Sequence, residues 1–166
     1  YEGHQLISDM SDFFIKSGSV TYDIGCSTGT LLARLSEQHR ERGNCRFIGI
    51  DNEEPMIEKA KKKNDVLDNL EFKVENAIEV ELEKSDFIIC YYTVQFMKPS
   101  VRQDLIDKIY KSLNWGGAFL MFEKVRASDA RFQDIMTSLY NEYKLTQDYS
   151  VESIFAKTRS LKGILE

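Results

Sequence analysis

An α/β domain, with a mainly parallel central sheet flanked by helices, is the fold class this sequence predicts. Three observations point to it. Short apolar runs near 20–24, 45–50, 70–74, 86–92 and 118–123 alternate with segments whose apolar residues recur at helical spacing. The run Asp86 to Tyr92 is almost continuously apolar between charged flanks, as expected of a central strand covered on both faces. The chain also has 166 residues, 42% hydrophobic and 30% charged, which suits one core of ordinary size.

Each element has its own signal. Leu6, Ile7, Met10, Phe13 and Phe14 lie at helical spacing within Gln5 to Lys16, and Gly18 marks the stop. Val20 to Ile24 reads as a buried strand that runs into Gly25-Cys26-Ser27-Thr28-Gly29. Leu31, Leu32 and Leu35 then predict a helix to about Arg42, and Gly43-Asn44 a turn. Cys45 to Ile50 is the second strand, closed by Asp51. Pro55 suits the first turn of a helix that reaches Asn64. Leu70 to Val74 is the third strand and Asp86 to Tyr92 the fourth. Ser100 is placed to cap a helix that ends at Leu113, with Leu105, Ile109 and Leu113 on one face. Asn114-Trp115-Gly116-Gly117 predicts a turn, Ala118 to Glu123 the fifth strand, and Phe132 to Tyr143 and Val151 to Leu165 two more helices.

Composition narrows the function. Net charge is −5, so a broad basic footprint for nucleic acid is not evident. No run of about 18 apolar residues, the length a membrane span needs, occurs, and the start has no signal-peptide pattern. Cys26, Cys45 and Cys90 are far apart with no CxxC pair, which fits reduced thiols in a cytoplasmic protein. His4 and His39 are the only histidines. They cannot supply a three-histidine metal site, and they leave little for a Ser-His-Asp arrangement.

Three segments carry chemistry. Asp23-Ile24-Gly25-Cys26-Ser27-Thr28-Gly29 follows a strand and opens a helix, where glycines allow tight turning and close ligand approach. The helix N-terminus offers free N–H groups to an anion, and Asp23 can accept from a ligand ammonium. Ser27 stands where a dinucleotide fingerprint needs its middle glycine, which argues against a pyrophosphate site. A purely structural strand-to-helix turn is the alternative. Asp51, at the end of the second strand, sits where two ribose hydroxyls would arrive; its alternative is to cap the next helix. Tyr91-Tyr92-Thr93-Val94-Gln95-Phe96 follows the fourth strand, and its rings could flank a cation, with core packing the alternative for Tyr92 and Phe96.

In this order the segments resemble the class I S-adenosylmethionine (SAM)-dependent methyltransferases, whose fold is Rossmann-like. The likeness is strongest to the carboxy-SAM synthases of that superfamily. It rests on Tyr22 to Ser27, Ile50-Asp51-Asn52, Pro55 to Glu58, Tyr92 to Phe96, Asp107 to Tyr110, Glu123-Lys124, Tyr149-Ser150 and Lys157 to Ser160, nearly the whole chain. The resemblance implies that Asp23, Gly25 and Gly29 hold the methionine part of SAM and Asp51 the ribose. Cys26, Ser27, Asn52, Met56, Asn76, Ala77 and Tyr91 complete the implied cofactor-binding set, which would take SAM, S-adenosylhomocysteine (SAH) or carboxy-SAM, and no metal. Ala77 replaces the acidic residue common at the adenine contact. Tyr91 replaces a smaller polar residue.

The implied reaction converts SAM and prephenate to carboxy-SAM and phenylpyruvate, the deprotonated SAM methyl capturing the carbon dioxide that prephenate loses. It feeds tRNA wobble-uridine modification without direct nucleic-acid binding. Arg159 would grip the new carboxylate, as a guanidinium does through two parallel hydrogen bonds, from a neighbouring subunit of a homodimer. Tyr92 and Gln95 would join it as catalytic residues, with Thr93 shaping the pocket. The family sheet has seven strands and the sequence yields five. The reading is therefore a single SAM-binding domain over 1–166, with C-terminal strands missing and truncation at either end open. Two other functions remain: an ordinary methyltransferase acting on a small molecule, and a non-catalytic SAM-binding module.

Overall fold

The computed structural model describes residues 2–160. The chain divides into two compact units, Tyr1–Glu123 and Lys124–Glu166. In the first, the described elements run α1 (Glu2–Phe14), β1 (Val20–Ile24), α2 (Thr30–Gln38), β2 (Arg46–Asp51), α3 (Glu54–Lys63), β3 (Leu70–Val74), β4 (Ser85–Tyr91), a 3₁₀ turn (Val94–Phe96), α4 (Pro99–Ser112) and β5 (Leu113–Phe122). Every strand pairing is parallel, and the sheet order is β3-β2-β1-β4-β5. The parallel α/β architecture expected from alternating strands and helices is therefore the observed one, with five strands among the described residues.

Strand periodicity splits the core into two layers. Phe47, Phe72, Phe87 and Ile89 face one side of the sheet and pack with Ile7 and Ile15, Leu31, Leu32 and Leu35 of α2, and Ile57 and Ala60 of α3. Tyr22, Ile24, Ile48, Ile50, Ile88 and Cys90 face the other side, against Leu105 and Ile109 of α4. β1 and β4 are covered on both faces, so their residues are buried almost continuously rather than alternately.

Several boundaries differ from the sequence expectation. The second helix stops at Gln38, not near Arg42, because the chain turns there: the Arg42 N–H donates to the His39 carbonyl at 2.9 Å. Ser100 does not cap α4. Pro99 occupies the first turn and Lys98 the capping position, so Ser100 lies inside the helix. The expected turn at 114–117 is an irregularity within β5, whose register jumps between Ser85–Leu113 and Phe87–Ala118. Gly116 has φ 81° there, and Asn114 Nδ2 donates to Asp86 Oδ1 at 2.8 Å, holding the irregularity to β4.

Ser11, Asp12 and His39 come together, yet not as a catalytic set. Ser11 is fully buried and its hydroxyl donates to the Ser8 carbonyl at 2.6 Å. His39 Nε2, 2.7 Å away, is then the donor to Ser11 Oγ, the reverse of a base activating a nucleophile. Burial, then the Arg42 charge, lowers the His39 pKa, so the neutral ring acts as a polar staple between α1 and the end of α2.

In the second unit, α5 (Ala130–Thr146) starts from an Asp129 cap whose Oδ1 accepts from the Phe132 N–H at 2.8 Å. Lys144 Nζ sits 4.2 Å from the centre of the Tyr140 ring. Helix α6 is described over Val151–Ser160; its expected continuation to Leu165, like the terminal residues Tyr1 and Glu166, lies outside the described residues. Among the described residues no helix is long and apolar enough to cross a membrane.

One glycine makes room for its neighbours in the first core layer. A Cβ on Gly49, in the middle of β2, would lie 2.7 Å from Phe72 Cδ1 and 2.8 Å from Cys26 Sγ. Gly49→Ala is expected to destabilise the fold by about 1–3 kcal/mol through overpacking, read as a lower urea midpoint at unchanged slope. A midpoint equal to wild type would refute this packing account.

Candidate active site

Strand order reverses between β1 and β4, so a crevice opens at the C-terminal ends of these strands, the place where open α/β sheets bind ligands. The β1–α2 loop crosses that crevice. Gly25 (φ 80°) and Gly29 (φ 71°) occupy left-handed conformations that L side chains rarely adopt, and Ser27 does so at φ 51°. The N–H groups of Gly25 and Cys26 both donate to the Ile50 carbonyl, at 2.7 and 3.1 Å, tying the loop to the end of β2. Gly29 begins α2 with no side-chain cap, leaving the helix N-terminus available to an anion.

Asp51 closes this cradle. Its Oδ2 accepts from the Ser27 N–H at 2.8 Å, and its Oδ1 from the Glu53 N–H at 2.9 Å. The capping alternative is therefore half met: Asp51 turns the chain toward α3, while Glu53 holds the capping position. Each carboxylate oxygen keeps a second lone pair, which is what a pair of ribose hydroxyls needs. Met56 lies alongside, its sulfur 3.8 Å from Ser27 Oγ, and Asn52 is exposed next to Asp51.

Asp23 is only 2% exposed, and its Oδ1 has no hydrogen-bond partner. Burial, then the Asp51 charge, pushes its pKa up to about 7. An orphaned buried carboxylate oxygen beside an open loop fits a ligand ammonium, and Asp51 fits a diol, so these residues match the SAM reading. The Cys26 side chain is turned away from such a ligand, into the core beside Gly49. Burial pushes the Cys26 and Cys90 thiols well up, which leaves them inert.

Beyond β3, the Asn76 Oδ1 accepts from the Ile78 N–H at 2.9 Å, and Ala77 packs on the second core layer. The Lys108 ammonium fastens this segment, donating to the carbonyls of Ile78, of Val80 at 2.7 Å and of Ala77 at 3.4 Å. The Glu75 N–H donates to the Asp51 carbonyl at 3.0 Å, so the segment starts beside the cradle.

At the end of β4, Tyr91 packs edge-on against His4 and Tyr92, with Phe122 5.4 Å away. Tyr92 (φ 57°) and Phe96 are substantially exposed, so core packing does not account for either. The Thr93 hydroxyl donates to the Ile24 carbonyl at 2.8 Å, and a Cβ on Gly25 would strike Thr93 Oγ1. Gln95 Nε2 donates to the Tyr92 carbonyl at 3.4 Å, while Gln95 Oε1 is buried without a partner. The structure thus brings together Asp23, Gly25, Ser27, Gly29 and Asp51, with the 92–95 turn against Gly25. Arg159 lies on α6 of the second unit, exposed.

Sequence reasoning missed Glu123. Its Oε1 accepts from the N–H groups of Thr93 at 3.1 Å and Val94 at 2.7 Å, and its Oε2 from Gln95 at 3.0 Å. The available signal was an acidic residue closing an apolar strand, as Asp51 closes β2. Phe72 was also missed, although a Cβ on either Gly29 or Gly49 would strike its ring.

Comparisons with known proteins agree with this geometry. Residues 15–162 match a family described as a methyltransferase domain. Carboxy-S-adenosyl-L-methionine synthase of Campylobacter lari is 35% identical over 162 residues, covering 97% of this chain and 68% of that protein. The synthase of Sulfurimonas denitrificans is 33% identical, covering 94% and 68%. A crystal structure of coclaurine N-methyltransferase, bound to N-methylheliamine and SAH, superposes with a TM-score of 0.61 at 22% identity. It covers 72% of this chain and 34% of its own, and shares the fold. The five-stranded sheet and flanking helices are those of the class I methyltransferase fold.

The state of Asp23 has a measurable consequence. Its carboxyl keeps its proton in the folded chain up to about pH 7, whereas an unfolded chain releases it near pH ~4. Between those values only the unfolded state gives up the proton, so this group lowers stability as pH rises. Asp23→Asn is expected to match wild type below pH ~4 and to exceed it by a few kcal/mol above pH ~7 without ligand, read from urea midpoints. A stability difference that does not grow with pH would contradict the raised pKa.

Proposed function

The chain belongs to the methyltransferase-domain family, and from that membership we propose that it is a SAM-dependent transferase that makes carboxy-SAM. The observation that carries SAM binding is the pairing of the orphaned Asp23 oxygen with the doubly held Asp51 across one glycine loop. An ammonium at Asp23 relieves both its burial and its repulsion from Asp51. A ribose diol at Asp51 gains two charge-assisted hydrogen bonds. The Asn76–Ala77 segment then faces the adenine through its backbone, because Ala77 offers no carboxylate.

The carboxylation step rests on similarity to the carboxy-SAM synthases across nearly the whole chain. Prephenate releases carbon dioxide and its ring hydroxyl, becoming phenylpyruvate. The SAM methyl gives up a proton, which leaves with that hydroxyl as water, and its carbon bonds to the carbon dioxide. The protein's share is to hold the two reactants close and keep water out. That share needs no strong general base, and neither inert thiol supplies one. Tyr92 and Gln95 line the reacting end. Arg159 receives the new carboxylate across a homodimer in the cytoplasm, as a bidentate partner that a lysine would not match.

A second reading is favoured by one residue. Tyr91 stands where the synthases carry a smaller polar side chain, and it is packed against His4 and Phe122. An ordinary methyltransferase acting on a small molecule would keep the same SAM site and use that aromatic wall for its acceptor.

Mass spectrometry of the ligand that copurifies with the full-length protein separates the two. The expected species is heavier than SAM by one carboxyl group, and its amount rises when prephenate is added. Only SAM or SAH, with no carboxylated species after prephenate, would overturn carboxy-SAM synthesis in favour of methyl transfer.

A further inference from the structure

Glu123 ends the fifth strand, and nothing in the reaction calls for a carboxylate there. Yet its two oxygens accept three consecutive backbone N–H groups, those of Thr93, Val94 and Gln95, at 2.7–3.1 Å. That pattern belongs to a helix N-terminus, whose first N–H groups lack partners within the helix. The 3₁₀ turn Val94–Phe96 has no side-chain cap from its own capping residue Thr93. A carboxylate from the neighbouring strand does the capping instead, and its charge suits the positive end of the turn.

The turn is held in a conformation it would not keep alone. Tyr92 sits in the left-handed region at φ 57°, which is unusual for a residue with a bulky side chain. Its N–H donates to the Phe122 carbonyl at 2.8 Å, next to Glu123. Two links run on from the turn to the cradle. Thr93 Oγ1 donates to the carbonyl of Ile24, the last residue of β1. The same hydroxyl fills the space that a Gly25 Cβ would need.

We propose that Glu123 is a positioning residue for the methionine half of the SAM site. Its carboxylate fixes Thr93 against Ile24 and Gly25, and Thr93 in turn fixes the backbone beside Asp23. This rests on the SAM reading given above. The ribose end depends on the turn less directly, because Asp51 takes its two N–H donors from Ser27 and Glu53 and none from the 92–95 turn. Loss of Glu123 therefore weakens the methionine half of the ligand's site more than the ribose half.

Calorimetric titration of the full-length protein with SAH and, separately, with adenosine tests this. Glu123→Gln keeps the side-chain length but turns an amide N–H₂ toward an N–H donor. It is expected to weaken SAH binding at least about tenfold and adenosine binding by less than about twofold. Glu123→Asp keeps the charge but cannot reach all three donors, and is expected to fall between wild type and Glu123→Gln for SAH; it carries the test alone if Glu123→Gln does not fold. An equal loss for both ligands, which general loosening would give, overturns the proposal. So does unchanged SAH binding. A wild-type protein that binds neither ligand overturns the SAM reading and this inference with it, whereas wild-type binding of both with no selective loss overturns this inference alone.

Discussion

A single carboxylate joins the first two crossovers of the sheet. Asp51 leaves β2 and accepts one N–H from the β1–α2 loop and another from the entry to α3. The loop is therefore tied to the end of β2, which carries the proposed ribose contact. Charge-assisted bonds to backbone N–H groups give this joint both strength and direction. The same charge acts on Asp23, which is buried nearby and held well above the ordinary carboxylate range. The cradle thus holds a buried carboxyl in an unfavourable place that a ligand cation would relieve, and such perturbed groups mark where function lies.

The rest of the first unit supports that joint. Phe72 on β3 fills the space beneath Gly29 and Gly49, so the start of α2 and the middle of β2 approach as closely as their missing side chains allow. Lys108 of α4 fastens the segment after β3 by its carbonyls. Glu123 of β5 fastens the turn after β4 by its N–H groups. A cation binds carbonyls on one flank and an anion binds N–H groups on the other, so both walls of the crevice are set by side chains from outside it. Such outer support holds a binding constellation in place before the ligand arrives.

Much of this was legible in the sequence. The strands at 45–50 and 86–92 follow from short, largely apolar runs, and the glycine loop and Asp51 follow from their positions after strands. Where the reading slipped, the missing information was non-local. Leu113 keeps its helical spacing, yet pairing with Ser85 draws it into β5. No breaker precedes Gly43, so the helix read on to Arg42, yet that side chain reaches back to Asp12, with Nη2 and Oδ1 2.9 Å apart, after the helix has ended. Ser100 has the chemistry of a cap, but Pro99 before it had already started the helix. Glu123 showed in the sequence only as an acidic residue closing a strand; its partners are backbone N–H groups 28–30 positions away, so its role needed the fold. The environment of Asp23 was equally hidden: the sequence shows an acidic residue, and only the fold shows that it is buried with an oxygen unpaired.

The central claim is that Asp51 holds both the loop and the ligand. The most direct measurement is calorimetric titration of SAH into wild type and Asp51→Asn, with thermal unfolding of each as a control. The account predicts that the amide, with one acceptor where the carboxylate has two, loses on the order of thirtyfold or more in SAH affinity while the variant still unfolds cooperatively. Equal affinity in the two proteins would contradict it, because the carboxylate would then be holding only the loop.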